Sequence, residues 1–285
     1  MRRRDGIVRT GRLRNAPGPA DNRRMLQSVQ AVGESRASMW NTAPEVLVNE
    51  CKSDSQRVAV PSASVHVVAR LGAHVPGGFD IHAMGPRMRV HRKLIRGGQI
   101  TILARLSLRM YQAILGRPAS ELAGRIVALR DLWEPDVAER LEARLAAATD
   151  ARTAAAVLSA ALSERLEVPR CPDTNIRLAQ TAARRLGSQS VTSVAKDLGV
   201  SERHLRRIFH EVVGLSPKAF FKLSRFERAL AAGRHSVAST WTDIAAEAGY
   251  YDQAHLIKDF HSIAGSTPRE FLEEVNGQSA LIKLD

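Results

Sequence analysis

The 285-residue chain contains only two cysteines, no long apolar run, and far fewer acidic than basic residues. Cys51 and Cys171 stand one in each half, and free thiols are the usual state of such cysteines in a cytoplasmic protein. No stretch approaches the roughly 18 consecutive apolar residues that indicate a membrane helix. We therefore expect a cytoplasmic protein with free thiols and without a membrane partner.

Sequence motifs of common enzyme chemistry are also absent. The chain has neither a Gly-x-x-x-x-Gly-Lys-Ser/Thr nucleotide loop nor a His-Glu-x-x-His metal motif. Four histidines of the N-terminal half have a spacing that fits no metal-ligand pattern: His66, His74, His82 and His91. We expect neither an enzyme nor a cofactor nor a metal site.

Basic residues give the chain a formal net charge of +13 and an isoelectric point near 10.7, which favours a polyanionic partner. Much of the excess lies in residues 1–38, which have few acids, no hydrophobic period and the sequence Pro17-Gly18-Pro19. This stretch is predicted to be a disordered basic arm that binds nucleic-acid backbone. The alternative is an upstream extension, with the true start at Met25 or Met39. The stretch lacks the apolar segment of a secretory signal.

Two similar helix-turn-helix patterns lie between about Val191 and Phe271. In the first, Ala195 is small where two helices cross, Gly199 supplies a positive φ, and Ser201 is the expected N-cap of the next helix. Apolar residues then follow at helical spacing, and the positions between them are largely basic. This arrangement predicts a recognition helix that reads duplex DNA.

The second pattern repeats this spacing, because Ala245 and Gly249 are again four residues apart. Its turn is one residue longer, so Asp252 is the expected N-cap of the second recognition helix. The polar residues that follow the cap face away from the predicted core.

A single helix is predicted between the two patterns. Ser216-Pro217 has the form of a helix start, and we expect the helix to end near Gly233. About sixteen residues at roughly 1.5 Å each give a rod of about 24 Å. Such a rod allows two recognition helices to enter successive major grooves, which recur about 34 Å apart.

The segment from about Asn175 to Val275 resembles the DNA-binding domain of the AraC/XylS family of transcription regulators. The residues that carry the resemblance are Leu205-x-x-Ile-Phe, Gly214-x-Ser-Pro217, Arg225-x-x-x-Ala229, Ile244-Ala-x-x-x-Gly249-Tyr250, Gly265-x-x-Pro268-x-x-Phe271 and the closing capping box Thr267-Pro268-Arg269-Glu270. The resemblance implies a bacterial-type regulator with two DNA-binding helices. Two cysteines cannot supply the four-cysteine zinc site of DNA-alkylation sensors that carry the same module.

The resemblance also implies which residues contact DNA. Positions near the start of each recognition helix and on the linking helix give eleven candidates: Ser201, Arg203, His204, Arg206, Arg207, Lys218, Lys222, Gln253, Ala254, His255 and Lys258. Arg suits guanine and Gln suits adenine, whereas Lys222 is expected on phosphate. The alternative for the arginines is contact with phosphate or solvent only, and for His255 it is packing on nearby aromatic rings. Ala254 stands where a polar residue is expected, which leaves at most a methyl contact to thymine.

The N-terminal half contains short β-like runs separated by glycines. The runs are Glu45–Cys51, Arg57–Val60, Val65–Ala69, Arg89–Ile95 and Gln99–Leu106. They predict an antiparallel sheet and are compatible with a barrel-like form. The region resembles the sensor domain of a subgroup of the same family at Pro61-Ser62, Gly85-Pro86 and Leu115–Leu122.

A helical pattern follows the sheet. Residues 137–148 and 151–166 are rich in alanine, with apolar residues three and four apart. A core role against the sheet is favoured over pairing with a second copy of the chain. Pro169 and Pro172 mark the linker to the DNA-binding half. The predicted α+β organisation is a basic arm at 1–38, a β-rich sensor domain at 39–116, a helical linker region at 117–170, an all-α domain with two helix-turn-helix motifs at 171–276 and a tail at 277–285.

The sequence thus predicts a cytoplasmic, sequence-specific transcription regulator that binds duplex DNA. RNA polymerase, a small-molecule effector and a second copy of the chain are its further expected partners. One alternative is a nonspecific architectural protein dominated by its basic arm, whose log affinity would fall with log salt by about 0.9 per phosphate neutralised. Another is a small-molecule enzyme or carrier with a vestigial helix-turn-helix half, which turnover by residues 40–170 alone would reveal.

Overall fold

The computed structural model describes residues 43–166, 174–186, 189–235, 240–277 and 282–283. The predicted basic arm, its alternative start sites, Cys171 and the two linker prolines lie outside the described residues. In the part of the chain that is described, no helix is both long enough and apolar enough to cross a membrane.

The described part of the N-terminal half is built on two antiparallel sheets. The strands are β1 (Glu45–Glu50), β2 (Ser55–Ala59), β3 (Val65–Leu71), β4 (Phe79–Met84), β5 (His91–Ile95), β6 (Ile100–Leu106), β7 (Ile126–Ala128) and β8 (Ile282–Lys283). Six of them form one sheet in the order β7-β4-β3-β6-β1-β8, and β2 pairs with β5. The five predicted runs are confirmed as β1, β2, β3, β5 and β6, whereas β4, β7 and β8 were not predicted.

The antiparallel sheet is confirmed, but it does not take the barrel-like form that the sequence allowed. Within the described residues the six-stranded sheet is open, and β7 and β8 lie at its two edges. The outer edge of β1 is covered by β8, which pairs through Leu47 with Lys283 and through Val48 with Ile282. The short strand β8, which lies in the predicted tail, therefore covers the backbone groups at the β1 edge of the sheet. In a closed barrel this edge would not exist.

Among the described residues, four helices follow the last long strand of the N-terminal half. They are α1 (Tyr111–Leu115), α2 (Ala119–Leu122), α3 (Pro135–Ala146) and α4 (Ala151–Glu164). Helix α4 packs on β1 and β6 and buries Ala154, Leu158 and Leu162, which are spaced four residues apart on one face. The favoured core role of this helical region is confirmed.

One face of the six-stranded sheet carries buried polar groups. Glu45, Arg105 and His66 occupy facing positions on β1, β6 and β3. Arg105 donates a hydrogen bond to Glu45 at 3.0 Å, and burial holds the pKa of His66 well below its ordinary value, so this ring is neutral. Across the described residues, no group of three or more metal-ligating side chains comes together.

The C-terminal half is helical. Its helices are α5 (Thr174–Arg185), α6 (Val191–Asp197), α7 (Glu202–Val213), α8 (Pro217–His235), α9 (Trp241–Ala248), α10 (Gln253–Ala264) and α11 (Pro268–Asn276). Helix α8 lies between two aromatic clusters. Its Phe220 ring is 5.3 Å from that of Phe209 on α7, and its Phe226 ring is 4.5 Å from that of Phe260 on α10. The long helix thus belongs to the core of both halves of the domain.

The N-terminal half holds the C-terminal end of α7. The buried Tyr111 hydroxyl donates to the carbonyl oxygen of Val212 at 2.7 Å. Gly214, which ends α7 with a positive φ of 77°, lies so close to α2 that a Cβ there would be 2.7 Å from the Ala119 carbonyl oxygen. This contact needs glycine for both its backbone conformation and its size.

The end of α10 is held in a similar way. The backbone amide of Val90 donates to the Ile263 carbonyl at 3.1 Å, and the Arg92 guanidinium donates to the Ala264 carbonyl at 3.0 Å. Arg92 also donates to Glu274 of α11 at 2.8 Å. Carbonyls at the ends of both helices, which lack partners within the helix, are therefore satisfied by the N-terminal half.

Candidate nucleic-acid interface

Helices α6 and α7 form the first helix-turn-helix unit. Ser190 caps α6, Gly199 makes the turn with φ +68°, and the Ser201 hydroxyl accepts from the His204 amide at 3.2 Å. These contacts confirm the predicted turn residue and the predicted N-cap. Ser201 is exposed beside the recognition helix, but its side chain is already engaged in the cap.

Helices α9 and α10 form the second unit, which has the same design. Thr240 and Asp243 make a reciprocal capping box at the start of α9, and Gly249 turns the chain with φ +82°. The Asp252 carboxylate accepts from the His255 amide at 2.7 Å and caps α10. Both predicted positions, Gly249 as the turn and Asp252 as the cap, are confirmed.

The linking helix α8 is longer than predicted. It runs for 19 residues, from Pro217 to His235, and so spans about 28 Å. The helix ends two residues beyond the predicted end at Gly233, so this glycine lies in its last turn. A Cβ on Gly233 would be 3.3 Å from the Trp241 ring of α9, so the glycine permits close packing.

The first recognition helix presents a cationic outer face. The side chains of Arg203, His204, Arg206 and Arg207 are exposed, as predicted for this face. Arg206 pairs with Glu202 at 2.9 Å, and Arg207 pairs with Glu211 at 3.3 Å. Among the described residues, Arg203 takes part in no ion pair or side-chain hydrogen bond. Arg203 is therefore the arginine of this face whose guanidinium N–H groups are all available to an outside partner.

The second recognition helix presents fewer charges. Gln253, Ala254 and Lys258 are exposed, whereas His255 is half-buried. The His255 ring packs edge-on against Tyr250 with a centroid distance of 5.4 Å. The structure thus agrees with the packing alternative for His255 and leaves three of the four candidates on the outer face.

A threonine of the preceding helix contacts the first residue of each recognition helix. Thr242 of α9 donates to the Gln253 side-chain oxygen at 3.1 Å, and Thr192 of α6 donates to Glu202. The hydrogen bonds from Thr192 and then Arg206 lower the pKa of Glu202, which keeps it ionised. The same contact in both units fixes the first turn of each helix.

Buried charges tie α10 to the linking helix. Asp259 of α10 is nearly inaccessible and lies 3.0 Å from Arg225 and 3.2 Å from Lys222, both on α8. The Arg225 guanidinium also lies over the rings of Tyr250 and Phe221, at 4.6 Å and 5.0 Å from their centroids. The sequence suggested neither Arg225 nor Asp259 as a site residue. The sequence feature that could have indicated this ion pair is an acidic residue, Asp259, on the buried face of the amphipathic helix α10.

The two lysines predicted to approach DNA differ in their surroundings. Lys218 is exposed near the start of α8. Lys222 is half-buried and also donates to Ser262 at 2.9 Å, so its ammonium has partners in the protein. Both line a groove of about 590 Å³ between α8 and α10, with walls from Met88, Ser216, Lys218, Ala219, Phe221, Lys222, Arg225, His255 and Asp259.

Part of the chain is similar to a known protein family and to solved structures. Residues 177–274 match a family model described as a helix-turn-helix domain, of the AraC type. The C-terminal domain of AraT, a response regulator from Geobacillus stearothermophilus, is a similar structure, with 22% identity, a TM-score of 0.33, and coverage of 37% of this chain and 88% of that chain. ToxT from Vibrio cholerae O395 is similar with 10% identity, a TM-score of 0.40, and coverage of 82% and 98%. No curated protein matches the chain.

Residues 177–274 are thus an AraC-type helix-turn-helix domain, and the resemblance to the AraC/XylS regulators is confirmed over this part of the chain. A domain of this type supports a role in DNA binding and transcription regulation.

Proposed function

We propose that the chain regulates transcription by sequence-specific binding, with α7 and α10 in successive major grooves of one face of duplex DNA. The observation that carries this proposal is the duplication of one geometry. Each unit has a positive-φ glycine four residues after a buried alanine, a side-chain cap on its recognition helix, and exposed polar residues in that helix's first turns. Residues at the N-terminal end of a recognition helix are the ones that reach base edges.

Arg203 is the principal base reader of the first helix in this proposal. Its guanidinium is exposed and unpaired within the described residues, so a bidentate contact to guanine O6 and N7 requires no existing ion pair to break. Arg206 and Arg207 already have carboxylate partners on their own helix. We assign these two arginines to phosphate contacts, which position the helix without reading sequence.

In the second helix, Gln253 and Lys258 are the proposed polar contacts, and Ala254 offers a methyl group to thymine. His255 and Lys222 are assigned to the support of α10 rather than to DNA, because both contact neighbouring side chains of the protein. Lys218, which is exposed, is the proposed phosphate contact of the linking helix. Ser201 and His204 complete the first interface as the cap and an exposed neighbour.

Selection from a random duplex library with the full chain tests this function. We expect a bipartite motif whose halves are centred about one helical turn apart, and the selected duplex should bind far more tightly than a scrambled one at two salt concentrations. Absence of enrichment, with binding that falls steeply with salt for every sequence, would support the nonspecific basic protein instead. The matched controls are Arg203→Ala and Arg206→Ala, which remove the same charge from the same helix.

We also propose that the N-terminal half binds a small polar effector at the polar face of its larger sheet. The hydroxyls of Ser64 and Ser107 are buried without a hydrogen-bond partner. Ser64 directly precedes β3 and Ser107 directly follows β6, two residues from the neutral His66 and from Arg105, which face each other on these strands. Buried polar groups without partners are costly, so a ligand or ordered water is expected to satisfy them.

Melting of the full chain with a panel of sugars and carboxylic acids tests the effector site. A ligand of this site should raise the melting temperature of the wild type. It should not raise that of the double variant with Ser64→Ala and Ser107→Ala. A ligand whose effect survives both substitutions binds elsewhere.

Binding to RNA polymerase and to a second copy of the chain stay predictions from the sequence, as does the cytoplasmic location.

A further inference from the structure

The turn of the second unit contains one extra residue, and the backbone identifies it as Tyr251. In the first turn the amide of Val200 donates to the Ala195 carbonyl at 3.0 Å, and in the second the amide of Tyr250 donates to the Ala245 carbonyl at 2.9 Å. Val200 and Tyr250 are therefore equivalent. The first turn passes directly from this position to its N-cap, so Tyr251 has no counterpart.

The two adjacent tyrosines have opposite environments. Tyr250 is buried, with Arg225 over its ring and His255 against its edge. Tyr251 is 93% exposed, more than any other large hydrophobic residue among those described, and no described residue makes a hydrogen bond or ring contact with its side chain. Packing of the turn is thus accounted for by Tyr250, and the fold makes no use of the Tyr251 side chain.

Tyr251 stands immediately before Asp252, which caps the recognition helix α10. The residues that follow the cap, Gln253 and Ala254, are exposed on the face assigned to DNA. A tyrosine at this end of the helix combines a rigid ring, which packs on deoxyribose, with a hydroxyl that donates to phosphate oxygen. It adds contact area to a helix whose candidate DNA-contacting residues, Gln253, Ala254 and Lys258, include one cation.

From this placement we propose that Tyr251 is a DNA-contacting residue of the second unit, and that its hydroxyl donates to a backbone phosphate beside the half-site read by α10. The inference rests on the proposed function. Because the contact is to the backbone, Tyr251 strengthens binding to all sequences and leaves the order of base preference unchanged. Because tyrosine is neutral, it releases no counterion and leaves the salt dependence unchanged.

The test compares full-length wild type, Tyr251→Ala and Tyr251→Phe on the selected duplex, with Ile126→Ala as a control. Ile126 is 66% exposed on β7, so this control removes a similar apolar group far along the chain from α10. We expect about a 10-fold loss of affinity for Tyr251→Phe, the size of one hydrogen bond to a charged acceptor, and a larger loss for Tyr251→Ala. Melting temperature and salt slope should stay at the wild-type values.

A second measurement tests the phosphate itself. Duplexes with a neutral methylphosphonate at single backbone positions should include one position beside the second half-site where wild type loses affinity and Tyr251→Phe loses none. Equal affinity of Tyr251→Ala and wild type would overturn the contact. Loss in Tyr251→Ala alone would overturn the hydroxyl donation. Absence of sequence preference in the wild type would instead refute the proposed function. The two failures are distinguishable, because the Tyr251 variants test only the contact and not the preference of the wild type.

Discussion

The two helix-turn-helix units share their turns and caps but differ in how their recognition helices are held. In the first, the exposed cations of α7 pair with carboxylates one turn away on the same helix, and Arg203 has no such partner among the described residues. In the second, Asp259 joins α10 to the linking helix through buried ion pairs. The first helix therefore carries the charges suited to reading bases, and the second carries charges that fix its position.

Both helices nevertheless end on the same support. Tyr111 binds the end of α7, and Val90 with Arg92 binds the end of α10. These contacts lie at the C-terminal ends of both helices, away from the N-terminal residues that are proposed to contact DNA. A conformational change of the N-terminal half would thus alter hydrogen bonds at the C-terminal ends of both helices.

The two units should differ most in the free energy of unfolding that is lost when an acidic partner, Asp259 or Glu211, is replaced by alanine. Asp259→Ala leaves Arg225 largely buried without its carboxylate, which is expected to cost about 3 to 5 kcal/mol of unfolding free energy. The matched change Glu211→Ala breaks an exposed pair on α7 and should cost less than about 1 kcal/mol. Urea unfolding of both variants measures the difference. Equal midpoints would show that the buried pairs contribute no more than the exposed one.

Substitution of the turn glycines tests whether the shared turns are equally tolerant. Gly249 and Gly199 both have positive φ, so valine at either position is expected to cost about 1 to 3 kcal/mol in strain. A Cβ on Gly249 would make only an ordinary contact, at 3.4 Å, with the Arg228 guanidinium, and one on Gly199 meets open space. Both variants should therefore melt below the wild-type temperature by similar amounts. Melting of both at the wild-type temperature would contradict the assignment of these turns.

The local parts of this design could be predicted from the sequence, because caps, turns and periodicity depend on neighbouring residues. Ser201, Asp252 and the two turn glycines were found in this way. The buried ion pairs could not, since Asp259 meets Lys222 and Arg225 across about 35 residues of chain. The same reason explains β8 and the contacts of Tyr111, which depend on tertiary packing.

Removal of a cation should affect base specificity on the first recognition helix but not on the linking helix. Arg203→Ala is expected to relax preference at one base position, at a cost of about 1 to 3 kcal/mol in discrimination. Lys218→Ala, which removes an exposed cation from the linking helix, should weaken all sequences alike and reduce the salt slope by about 1. Competition between the selected duplex and single-base variants measures both effects. An unchanged preferred sequence in Arg203→Ala would show that α7 docks differently.

The smallest expected difference concerns acid, because only the second unit begins with an ionisable capping box. Hydrogen bonds from the hydroxyl and backbone amide of Thr240 lower the pKa of Asp243, whereas the equivalent position on α6 is Ser193. A folded pKa below the unfolded value of about 3.9 means that this contribution is present above that pH and is lost as pH falls through the lower folded value. Hydrogen exchange between pH 5 and about 3 should show α9 losing protection that α6 keeps. The matched variant Asp243→Ser should remove the difference, because its cap has no group that titrates in this range; α9 and α6 responding alike in the wild type would show that the box adds nothing to the start of the second unit.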